Sequence, residues 1–150
     1  MDVDSACIIP SFYCILTGSL LSLQQMVGPL PPPALNLLGT GVVLAVVGNA
    51  GNFYHHFLLS QLRETESGSG KKKYEVPHGG LFEYVACPHY FFEIVAFIGF
   101  AMASQNVVGL CNVVWVVAYL GARSERCAKY YVEKIEDYPR SRKALIPFLF

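Results

Sequence analysis

The side chains able to do chemistry crowd into one stretch, Tyr74-Glu-Val-Pro-His-Gly-Gly-Leu-Phe-Glu-Tyr-Val-Ala-Cys-Pro-His-Tyr-Phe-Phe-Glu93. Two histidines, several carboxylates and three tyrosines stand here, directly before an apolar run that opens at Ile94. Ionisable groups at the mouth of an apolar segment are costly unless paired or used, so they read as functional by default. His89 and Glu93 are four apart and share one helical face. Together they suit a hydrogen-bonded pair lining a ligand cavity; the plainer alternative is a pair that steadies a helix end. Cys87 invites a metal reading, but zinc wants three or four ligands at recognised spacings. The chain has four histidines in all and no Cys-x-x-Cys, so no metal is expected. Pro77-His78-Gly79-Gly80 is a tight turn whose glycines let the backbone approach a ligand. It is neither a Gly-x-Gly-x-x-Gly fingerprint nor a P-loop, so any dinucleotide is bound without a Rossmann unit.

Two further rows carry polar groups at helical spacing. Asn52, His56 and Arg63 fall on one face, and an amide, an imidazole and a guanidinium there could grip a ribose and a phosphate. The alternative is an interfacial cap whose polar groups reach for water. Arg123, Cys127 and Tyr131 repeat every fourth residue and make a second row able to meet the first. A basic helix beside anionic head groups explains that row as well. From Tyr138 to Phe150 the chain is basic and aromatic, the composition of an interface anchor.

Apolar helices must position these rows. Of 150 residues, 53% are apolar and 15% charged, and no Asp, Glu, Lys or Arg occurs between Ser5 and Leu62 or between Ile94 and Ala122. A soluble domain needs a charged face on each helix in such runs. The expected fold is therefore an all-α membrane protein with about four transmembrane helices and a cytosolic helical tail. The spans run from about Ala6 to Val27, Ala34 to Leu62, Pro88 to Gln105, and Asn106 to Ala122, each near the roughly 20 residues a bilayer needs. Gly28-Pro29-Leu30-Pro31-Pro32-Pro33 separates the first from the second, which divides the chain into residues 1–33 and 34–150. Gly39, Gly41, Ala45 and Gly48 give the second span a small-residue face for close packing. Glu64 to Lys73 reads as a flexible loop, and the last helix continues to about Asp137, before Pro139. The basic residues, Arg63 with Lys71 to Lys73 and then Arg123 to Lys143, place both regions and both termini in the cytosol. Net charge is zero and a nucleic-acid partner is not expected. The five cysteines lie mostly among apolar residues, as small core side chains do. The amino terminus lacks the basic region and cleavage site of a signal peptide.

Several motifs in order resemble the carboxy-terminal part of the steroid 5α-reductase family, whose members include polyprenol reductases. They are Asn52-Phe-Tyr-His-His56 with Gln-Leu-Arg63, Tyr74-Glu-Val-Pro-His-Gly-Gly-Leu-Phe82, Cys-Pro-His89-Tyr-Phe-Phe-Glu93 and Tyr138-Pro-Arg-Ser-Arg142-Lys-Ala-Leu-Ile-Pro-Phe-Leu-Phe150. The resemblance covers roughly Gly48 to Phe150. It implies part of a seven-helix bundle in the endoplasmic-reticulum membrane that uses NADPH to reduce a carbonyl-conjugated C=C bond in a hydrophobic lipid. It implies NADPH-contacting or supporting roles for Asn52, Arg63, Tyr74, Glu93, Arg123 and Tyr131, and a matching basic residue in Arg142. His56 stands where steroid reductases have Asp, His89 where they have Asn, and Cys127 where they have His. His56 and His89 remain candidates beside the others. The family's catalytic Glu and Tyr lie on amino-terminal helices, so the resemblance implies a partial chain, completed by those helices or by other subunits. A 3-oxo-Δ4 steroid-like enone is the implied substrate, with polyprenal and trans-enoyl-CoA as alternatives. Isoprenylcysteine-type membrane methyltransferases carry an Arg-His-Pro-x-Tyr element; here Cys87-Pro88-His89-Tyr90 lacks the Arg, which counts against that class. A non-catalytic truncated paralogue is the remaining alternative.

Overall fold

The computed structural model describes residues 35–68 and 75–150, with Cys14, Ile15, Gly18, Ser19, Ser22, Gln25 and Met26 from the amino-terminal stretch; over residues 63–68 only the backbone is described. The regular elements among the described residues are all helical, without a strand. Helix α1 spans Leu38–Gly68, α2 Pro88–Ser104 and α3 Val107–Lys134. A short 3-10 helix, Gly80–Glu83, sits between α1 and α2.

Local chemistry sets the helix ends. The Asn36 side chain accepts a hydrogen bond from Leu38 N at 3.0 Å and so caps α1. Pro88 opens α2, where its missing N–H would have had no helical partner. At the other end of α2, Gln105 turns left-handed (φ 47°) and donates its backbone N–H to Ala101 O. Asn106 then caps α3, its side chain accepting from Gly109 N at 2.8 Å. Two residues thus reverse the chain, and Gln105 Nε2 donates to Leu35 O at 2.7 Å, tying that reversal to the start of α1.

α2 packs on both other helices, antiparallel to each. A Cβ on Gly41 would stand 2.7 Å from Gly99 O, and one on Gly48 would collide with the Ala96 backbone. Gly99 in turn faces Ala45. Small residues on both sides let the two backbones meet, the arrangement that lipid-embedded helices use for tight packing. The expected small-residue face needs one correction: Gly39 meets open space. It lies two residues before Gly41, about 200° around the helix, and points away from α2.

Among the described residues, two helices are long and apolar enough to cross a membrane, α1 over Leu38–Leu62 and α3 over Val107–Lys134; α2 is a shorter apolar helix of 17 residues. The expected first span, Ala6 to Val27, falls largely outside the described residues. Val42, Val46 and Phe53 of α1 and Leu110, Val114 and Trp115 of α3 are exposed. In water this outer surface would be a large apolar patch, whereas lipid accommodates it. Two boundaries also shift. α1 begins at Leu38 and runs to Gly68, so Glu64 to Gly68 is helix rather than loop. No Pro or Gly lies between Asn52 and Ser67, and Arg63, Glu64 and Glu66 are good helix formers. α3 ends at Lys134, short of Asp137, because Ile135 leaves the helix with an extended backbone and packs into a buried cluster with Ala86, Cys87 and Tyr138.

Candidate functional site

All the polar rows gather at one end of the bundle, where α1 finishes, α2 begins and α3 finishes. Asn52 Nδ2 donates to the His89 backbone oxygen at 3.0 Å, across 37 residues of sequence. The His56 ring lies 4.9 Å from the His89 ring, and His89 lies 4.2 Å from Tyr90. The Tyr90 hydroxyl accepts from Arg123 Nε at 2.7 Å, while Arg123 Nη1 donates to the Tyr119 hydroxyl at 3.1 Å. The α1 row and the α3 row therefore meet through the first turn of α2 rather than directly. His89 is buried, and its Nδ1 has no hydrogen-bond partner. A guanidinium offers five donors, so Arg123 is well placed for an anion, being largely exposed.

The lower part of the α3 row belongs to a packed cluster. Cys127 and Tyr131 lie against Cys87, Ile135 and Tyr138. The Tyr131 and Tyr138 rings are 5.4 Å apart. The Cys87 thiol is held well above its ordinary range by its hydrogen bond with Cys127 and by burial. Burial likewise raises the Tyr138 phenol, whose hydroxyl is buried without a partner.

The Pro77-His78-Gly79-Gly80 turn is built against this end. Gly79 and Gly80 both adopt positive φ, 94° and 55°, which only glycine accepts readily. Glu83 accepts from Gly79 N at 2.9 Å and lies 3.2 Å from His78 Nδ1. The Gly79 N–H does most to hold the Glu83 carboxyl below its ordinary range; burial opposes it, and the His78 hydrogen bond and charge and then the Arg142 charge lower it further. Arg142 donates from Nη1 to Pro77 O at 2.8 Å and from Nη2 to Glu83 at 3.3 Å. Its side chain is only 3% exposed, so it works as a clamp on the turn and not as an outward-facing cation.

Of the candidate residues, Asn52, His56, His89 and Arg123 come together in this way. Glu93 lies half-buried one turn beyond His89. Arg63 is placed by its backbone on α1, and Tyr74 falls outside the described residues. Sequence reasoning passed over His55, which is 3% exposed. Its Nδ1 donates to Gly51 O at 2.7 Å, so Nε2 accepts, and Leu81 N donates to it at 3.1 Å. The ring stacks on Phe92 with centroids 5.1 Å apart. A signal was present: His55 continues the seven-residue spacing of Gly41 and Gly48, which is the seam facing α2. Tyr90 and Tyr119, the phenol partners of Arg123, were also passed over because each looks apolar in its local sequence.

The family model described as 3-oxo-5-alpha-steroid 4-dehydrogenase matches residues 5–150. The 3-oxo-5-alpha-steroid 4-dehydrogenase 1 of Mus musculus is 41% identical over 110 residues, covering 73% of this chain and 42% of that protein. The type 2 proteins of Sus scrofa and Homo sapiens are 39% and 38% identical over 110 residues, again covering 73% of this chain and 42% of each. The chain thus spans about two fifths of the length of these relatives.

Proposed function

The chain belongs to the 3-oxo-5-alpha-steroid 4-dehydrogenase family, and from that premise we propose that it forms the cofactor-binding half of a membrane lipid reductase. The relatives' names denote enzymes of 3-oxo-5α-steroids. Carried to this chain, the reaction is reduction of a carbonyl-conjugated C=C bond in a 3-oxo-Δ4 steroid-like lipid. Hydride is delivered to the β-carbon and a proton to the α-carbon, so the enone becomes the saturated ketone. NADPH supplies the hydride when bound.

The residues present fit that group. Arg123 offers its guanidinium to phosphate. The unpartnered Nδ1 of buried His89 offers a hydrogen bond between the two rows. Asn52 and Tyr90 hold the first turn of α2 and thereby the His89 ring. His56 and Glu93 border the same face, and Arg63 and Tyr74 are assigned to the cofactor on the family resemblance alone. Tyr131 packs beneath it, and Arg142 acts through the turn it clamps. The groups that polarise the substrate carbonyl come from segments beyond α1 to α3, in the same protein or a partner. The setting is the endoplasmic-reticulum membrane with the site facing the cytosol, as the basic loop and tail indicate.

One observation carries this reading: hydrogen bonds and ring contacts link Asn52 and His56 to Arg123 through His89 and Tyr90. The test is ligand binding by the full chain in detergent, with NADPH and S-adenosylmethionine compared. NADPH is expected to bind more tightly, and Arg123→Ala is expected to weaken it about tenfold through loss of a charge-assisted contact. Preference for S-adenosylmethionine, or no response to Arg123→Ala, refutes it.

A further inference from the structure

Between Tyr138 and Phe150 the chain carries Arg140, Arg142 and Lys143 but no acidic residue. Arg142 is engaged inside the fold, while Arg140 and Lys143 are exposed. The tail is anchored beside the entrance of α2. Lys143 N donates to Tyr84 O at 3.0 Å, Ala86 N to Lys143 O at 2.8 Å, and Cys87 N to Ala144 O at 3.1 Å. Leu145 is buried. The last residues therefore emerge level with Pro88, where the apolar run of α2 begins.

There the backbone closes on itself. Leu145 N and Ile146 N both donate to the Phe150 main-chain oxygen, at 2.8 and 2.6 Å, and Phe150 N returns to Ile146 O at 3.1 Å. Phe148, at the tip, has φ 67°. A bulky aromatic holds that left-handed conformation only where the surrounding bonds impose it. The result is an outward aromatic tip: Phe148 and Leu149 are each 81% exposed, and the Tyr84 ring lies 5.7 Å from Phe148.

We propose that the Leu145–Phe150 turn is a membrane-insertion tip, with Phe148 and Leu149 entering the head-group boundary of an anionic leaflet while Arg140 and Lys143 meet its phosphates. An apolar tip flanked by cations and placed where a neighbouring helix enters its apolar stretch matches such a surface in both hydrophobicity and charge. This inference is independent of the reductase reading, since it requires no cofactor.

Phe148→Trp tests it in a Trp115→Phe background, which removes the single native tryptophan. The full chain is placed in nanodiscs of brominated phosphatidylserine and phosphatidylcholine. Emission is expected to shift to the blue, and shallow bromines are expected to quench it about twofold more than deep ones, as for a residue at the acyl boundary. Leu149→Trp in the same background reports independently if the first variant folds poorly. Water-like emission without quenching at both positions overturns the proposal. So does a blue shift that depends on protein concentration and not on bromine, which would mark a second copy of the chain as the occupant.

Discussion

The two ends of the α1–α2 pair are held by opposite means. At the end near the Gln105-Asn106 reversal, Gly41, Ala45 and Gly48 meet Gly99, Ala96 and Ala103, and the backbones approach because side chains are missing. At the other end, the pair is joined by what side chains reach for: Asn52 to His89 O, His55 to Leu81 N, and His55 against Phe92. Dispersion between small residues holds the first end and tolerates little added volume. The second depends on polar groups whose partners lie 26 and 37 residues away in sequence. The seam can therefore be broken by adding atoms and the site end by removing them.

Addition has the largest expected effect. Gly48→Leu forces side-chain atoms into the Ala96 backbone, which neither helix can yield without separating. A loss of about 3 kcal/mol is expected, at the upper end for overpacking, measured by thermal unfolding in detergent. Gly39→Leu faces open space and is expected to change stability little. Equal losses at both positions would show that the seam is not where the pair is held.

Removal is expected to cost less and to act locally. His55→Ala takes the acceptor from Leu81 N–H and leaves that half-buried donor unpaired, with a cost of about 1 kcal/mol, the low end for a stranded donor. Hydrogen exchange at Leu81 and Phe82 should accelerate while amides around Gly41 stay protected. Uniform acceleration along α1 would merge the two ends into one cooperative unit.

The smallest effect concerns pH at the glycine turn. The Glu83 carboxyl is held below its ordinary range by the Gly79 N–H, then by His78 and Arg142. Its stabilisation is therefore complete above the unfolded-state value and is lost as pH falls through the lower folded one. Acid is expected to loosen the turn before α1 to α3 unfold, seen as faster exchange at Gly79 and Gly80 below the usual glutamate range. Glu83→Gln should flatten that dependence; an unchanged profile would assign it to another group.

Much of the architecture was legible because it follows from short-range rules. The charge-free runs marked the apolar helices, and Asn106 and Pro88 marked helix starts. Most of the small-residue face was legible as well. His55 and His56 show where such reading stops. They are adjacent and chemically identical, and only the angular position around α1 makes one a buried latch and the other an exposed candidate. Lys134 shows the same limit, since Ile135 leaves the helix for a cluster with Ala86, Cys87 and Tyr138, residues that no local pattern links to it.

The sequence by itself determined that the chain is built from apolar helices and that its polar groups concentrate at their water-side ends. Burial of apolar surface and helical periodicity act between near neighbours, so their imprint can be read along the chain. Only the tertiary structure decided which of those polar groups are engaged and which face outward. Arg142 became a clamp on Pro77 O and Glu83, whereas Arg123 stayed largely exposed beside Tyr90 and Tyr119. The physical reason is that a hydrogen bond requires two groups within about 3 Å. For Arg142 and Pro77 that proximity is reached across 65 residues, which the folded path of the chain supplies and local pattern does not.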